Sequence, residues 1–67
     1  MTVDEVLARV AQIDATADLV ERAHMEEDRL YHDVMRAIAA GAANPAGLAQ
    51  AVLATEDLGL DRYYSEP

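Results

Sequence analysis

Val3, Val6, Val10, Ile13, Ala17, Val20, His24, Glu27, Tyr31, Val34 and Ile38 recur at alternating intervals of three and four residues, the a/d spacing of a heptad helix. No glycine or proline interrupts this stripe before Gly41. A chain built around such a stripe hides its apolar side by packing helix on helix, so the fold class is all-α. Thr2 followed by Glu5 has the spacing of a capping box, in which each side chain satisfies a free N–H of the other residue's backbone, and it starts a helix at about residue 3.

The stripe predicts one long N-terminal helix, about 3–40, closed by Gly41, which supplies the left-handed residue that ends a helix. Its apolar flank migrates from Leu7 on one side to Ala23, Leu30 and Ala37 on the other, the drift a straight helix of about 3.6 residues per turn shows against a 3.5 repeat. The alternative is a monomeric three-helix bundle with a break near 14–16, where Asp14 or Thr16 would cap a second helix. The unbroken phase favours the continuous helix, although a helix of about 38 residues far exceeds the mean of about 11 to 12.

Asn44 and Pro45 restart a helix, about 45–56, since asparagine caps well and proline suits the first turn. Leu48, Ala49, Val52 and Leu53 give it a narrow apolar face, and the short connection turns it antiparallel onto the long helix. Such a helix covers about 18 Å, whereas a helix over 3–40 runs for about 57 Å. The Val3 to Val20 part of the stripe then needs other cover, and a second copy of the chain supplies it. The expected product is a helical hairpin that dimerises into a bundle, with Val3, Val6, Val10, Ile13, Val20, Glu27 and Tyr31 at the interface. The chain reads as one small helical domain, 1–67, with a partly flexible tail at 58–67 in which Tyr63 and Tyr64 either close the bundle end or serve as a partner handle.

The chain's 67 residues contain no cysteine, which removes disulfides and thiolate zinc sites as sources of stability. At this size a lone core supplies only about 3 to 5 kcal/mol, so regular helix packing or self-association has to carry the fold. Thirteen acidic residues stand against five arginines and no lysine, for a net charge of −8. Residues 1–40 hold nine of the acids and four of the arginines, and residues 41–67 hold four acids and one arginine. Both halves are therefore acidic, and nucleic-acid phosphate is repelled. Arginine without lysine, beside 14 alanines, matches the codon bias of a GC-rich genome and a small bacterial or phage protein. The N-terminus lacks a basic segment followed by an apolar run, and no stretch approaches the roughly 18 apolar residues of a membrane span. The expectation is a cytoplasmic chain that binds neither nucleic acid nor membrane.

Glu27 is the anomaly of the stripe, because it falls between Ala23, Leu30 and Val34 where a carboxylate loses its hydration. His24 lies one turn before it and Tyr31 one turn after, so the three form a local polar set. The simpler role for this set is structural, a polar layer that fixes register and oligomeric state. The other is a metal site: Glu21 and His24 have the Glu-x-x-His spacing of carboxylate-bridged helical bundles, and Glu27 and Asp28 offer further ligands. Completing it requires two chains to meet at His24 and Glu27. His32, on the opposite side with Asp33 and Arg36, reads as a surface residue, and the one serine, Ser65, sits in the tail. Without a nucleophile beside a base, no catalytic residues are assigned and the chain is expected to be no enzyme and to need no cofactor.

Leu58, Gly59, Leu60 and Asp61 resemble the Leu-Gly-x-Asp-Ser segment of acyl carrier proteins, but Arg62 stands where that family carries its modified serine. The run from Asn44 to Ala51 resembles the first helix of a helix-turn-helix reader, whose second helix would here carry Asp57, Asp61 and Glu66 against one arginine. Neither resemblance assigns a function. Glu26, Glu27 and Asp28 also suit an acidic inhibitor of the phage type that imitates DNA, although Arg22, Arg29 and Arg36 interrupt that surface every seven residues. The function read from the sequence is a small acidic protein–protein interaction module that self-associates and acts as a regulator or adaptor. A metal-binding bundle and a DNA mimic are the alternatives.

Overall fold

The structure is a computed structural model that describes residues 1–58. Three helices, α1 (Val3–Ala15), α2 (Val20–Ala39) and α3 (Pro45–Leu53), are followed by a 3₁₀ turn over Ala54–Leu58, and no strand occurs among the described residues. The class is all-α, as the periodicity requires. Of the two arrangements the sequence allows, the three-helix one is formed, and the continuous helix over 3–40 is not. A longest dimension of 34 Å also leaves no room for the rod of about 57 Å that such a helix would make.

The capping box forms as read: the Glu5 N–H donates to Thr2 Oγ1 at 3.2 Å, and the Thr2 N–H donates to Glu5 Oε1 at 2.7 Å. The break comes at Thr16, which closes α1 and does not open α2. Its hydroxyl donates back to the Ile13 carbonyl at 3.0 Å, and the Thr16 N–H donates to the same carbonyl at 3.0 Å. The turn tightens further through Leu19 N–H to Thr16 O at 2.9 Å. α2 then begins without a side-chain cap, with Leu19 in the cap position and its carbonyl accepting from Ala23 N–H. Neither Asp14 nor Thr16 caps the second helix.

α2 ends in a Schellman arrangement: Ala42 N–H donates to Ala37 O, Gly41 N–H donates to Ile38 O, and Gly41 takes φ +94°. That positive φ is what glycine provides without the strain a Cβ brings. Asn44 caps α3 by accepting from Gly47 N–H at 3.1 Å, with Pro45 in the first turn. α3 is shorter than the sequence suggested, since Ala54 to Leu58 tighten into the 3₁₀ turn, and Leu58 packs against the core. The rest of the tail, including Tyr63 and Tyr64, lies outside the described residues.

α3 packs on both α1 and α2, and each helix contributes one side to a single core. Val6, Val10 and Ile13 come from α1, Ala23, Leu30 and Val34 from α2, and Leu48, Ala51 and Val52 from α3. The α1–α2 hairpin answers the question of cover posed by the stripe, because its two halves face each other and α3 closes the remaining side. Each fully buried valine or leucine contributes about 1.5 to 3 kcal/mol relative to exposure. No described helix is long and apolar enough to cross a membrane.

Candidate functional site

The polar set read on the stripe is assembled on the inner side of α2. Glu27 has no exposed surface, and its Oε1 stands 3.8 Å from Nδ1 of His24, one helical turn earlier. One turn later, Tyr31 reaches past the core to the 3₁₀ turn, where its hydroxyl lies 3.0 Å from Thr55 Oγ1. Thr55 is itself buried and donates to the Val52 carbonyl at 3.0 Å. A threonine hydroxyl has one proton to give, so Thr55 gives it to Val52 and accepts from Tyr31. Thr55 was missing from the sequence reading; its one signal is a polar residue one turn after the apolar Val52.

This arrangement joins α2 to the end of α3. Glu27 lies wholly inside the core, so a metal shared by two chains through it would require the core to open. Glu21 and Asp28, the other candidate ligands, lie exposed, and among the described residues no three histidine or carboxylate side chains gather to hold a metal ion. No described serine or cysteine stands near His24 to serve as a nucleophile.

The expected interface is largely spent inside the chain. Val6, Val10, Ile13 and Glu27 are buried by the chain's own helices, and Val3, Val20 and Tyr31 are partly buried. The stripe is therefore covered within the chain and needs no second copy for that purpose.

A cleft of about 340 Å³ opens between the C-terminal half of α1 and the start of α2, lined by Arg9, Gln12, Ile13, Ala15, Thr16, Arg22 and Glu26. Arg9 is held away from a free role there, because its guanidinium donates to Asp33 Oδ2 at 2.8 Å across the α1–α2 contact. That hydrogen bond lowers the Asp33 pKa below its ordinary 3.8, desolvation raises it, and the charges of Arg9, Arg36 and Arg29 lower it further. The pairing was not read from the sequence, since partners 24 residues apart meet only once the turn after Thr16 is known.

The outer side of α2 carries a mixed population of charges and apolar groups. Met25 and Met35 are 62 % and 65 % exposed, and Glu21, Arg22, Asp28, Arg29, His32 and Arg36 are all exposed, His32 as read. Leu19, Leu7 and Leu53 are further large apolar side chains left in contact with solvent. A shallow depression of about 430 Å³ runs between Asp28, Arg29, His32, Asp33 and Arg36.

No protein-family model, curated protein or solved structure matches the chain.

Proposed function

We propose that the chain is a non-enzymatic protein–protein interaction module that associates with itself and acts as a regulator or adaptor. The observation that carries this reading is the exposure of Met25 and Met35 on a helix whose inner side already completes the core. Methionine is flexible and polarisable, and it is favoured where a surface adapts to a partner. The Tyr31 and Thr55 hydroxyls are committed to joining α2 to the end of α3, which supports a binding role over a catalytic one. The arginines every seven residues along α2 support a partner of mixed charge over a uniformly basic one.

Sedimentation equilibrium of the purified chain over a wide concentration range tests the reading. A dimer that dissociates on dilution is the expected result. A monomer persisting to millimolar concentration overturns the self-association.

A further inference from the structure

Resting on that reading, the geometry points to the outer face of α2 as the contact, with two copies pairing their α2 helices in parallel about a two-fold axis. At about 100° per residue, the residues opposite the buried side of α2 fall into three columns. Met25 and His32 run down the middle, Glu21 and Asp28 form one edge, and Arg22, Arg29 and Arg36 form the other. All seven are exposed. Arg22 and Arg36 make no ion pair within 4 Å among the described residues, and Arg29 reaches only Glu26, at 4.0 Å. Glu21 and Asp28 are likewise not engaged in any ion pair among the described residues.

Edge columns of opposite sign select the orientation of a self-pair. A two-fold axis parallel to the helices brings the acidic edge of each copy against the arginine edge of the other, so Asp28 meets the second copy's Arg29 and Glu21 meets the second copy's Arg22. A two-fold axis perpendicular to the helices brings acid against acid and arginine against arginine, which is destabilising. The middle column then stacks Met25 on the second copy's Met25. The shallow depression flanked by Asp28, Arg29 and His32 gives the second helix room to approach. Each copy carries a net charge of −8, which opposes association. At a Debye length of about 8 Å in physiological salt, distant acids are screened more than edges in contact. One helix pair is a small interface, so the dimer is weak and reversible.

The absence of native cysteine makes cross-linking a clean probe. A disulfide forms only when the two Cα atoms come within about 7 Å, so Met25→Cys is expected to link to itself under a mild oxidant, while Leu7→Cys, on α1, does not. Sedimentation of exposed-charge variants gives a second readout. Asp28→Arg acts twice in a two-fold dimer and is expected to weaken it about tenfold, and mixing it with Arg29→Asp is expected to restore association as a heterodimer. A dimer in which Leu7→Cys links and Met25→Cys does not overturns the α2 contact and leaves self-association standing. Links that form only between Met25→Cys and His32→Cys chains, the middle-column residues that an antiparallel pair brings opposite each other, overturn the parallel orientation. A wild type that stays monomeric at millimolar concentration overturns this contact and the self-association together.

Discussion

The Tyr31 hydroxyl donates to Thr55 Oγ1 at 3.0 Å, and through Thr55 it reaches the Val52 carbonyl, so one chain of hydrogen bonds fastens α2 to the end of α3. Removing the phenol oxygen with Tyr31→Phe is expected to cost about 0.5 to 1.5 kcal/mol. Thr55→Val is expected to cost more, because both the Tyr31 hydroxyl and the Val52 carbonyl lose a partner. Urea denaturation of the two single variants and the double variant measures the coupling; strictly additive losses would show that the hydroxyls do not act together.

Glu27→Leu replaces a fully buried carboxylate with an apolar side chain of similar volume. Replacing both members of a buried polar pair by apolar side chains is often neutral or stabilising by about 1 to 4 kcal/mol, so the change is made together with His24→Leu, its partner one turn earlier. The expected outcome is a double variant with unchanged helicity and an unfolding midpoint at or above that of the wild type. A large loss of stability would mean that the pair supports the core by more than its polarity costs.

The Arg9–Asp33 pair predicts a defined response to acid. The folded-state pKa of Asp33 lies below its ordinary 3.8. Its contribution to stability is therefore complete above that ordinary value and is lost as pH falls through the lower folded value. Thermal melts of wild type and Asp33→Asn are expected to differ at neutral pH and to converge in strong acid. Both side chains are partly exposed, so the difference is modest and shrinks with added salt.

Core truncation separates a self-sufficient bundle from an obligate dimer. Leu30 has no exposed surface, and Leu30→Ala is expected to cost about 2 to 5 kcal/mol, comparable to the whole stability of about 3 to 5 kcal/mol typical of a domain this small. Val10→Asp, at a position 8 % exposed, is expected to unfold the chain outright. A folded monomeric Val10→Asp would place Val10 at a subunit seam instead of in the core. Circular dichroism with sedimentation distinguishes the two.

The start of α1 at Thr2 and Glu5, the stop at Gly41 and the restart at Asn44 and Pro45 were legible in the sequence. Each depends on residues three or four positions apart, and the structure contains those local bonds. The anomaly at Glu27 was legible for the same reason, since helical spacing alone places it on the inner side. The joint between α1 and α2 was legible only as an alternative, a break near 14–16 that the periodicity did not favour. Ile13 and Ala23, the core residues on either side of it, are ten positions apart, a spacing that alternating threes and fours also produce. Periodicity therefore reads identically through a helix and through this turn. Everything that depends on the joint was obscured with it, including the Arg9–Asp33 pair and the self-coverage of the stripe. The partnership of Tyr31 with Thr55 was hidden because it needs the 3₁₀ ending of α3.

Thr16 to Leu19 contribute to the joint through main-chain bonds and a back-bonded hydroxyl, and none of the four is a fully buried core residue. The instruction to fold back and the material of the interior thus reside in different residues. Substitutions confined to that short joint would loosen the turn while every core side chain stayed the same, and because a rod would uncover the α1 and α2 faces that now bury each other, the interior still selects the hairpin.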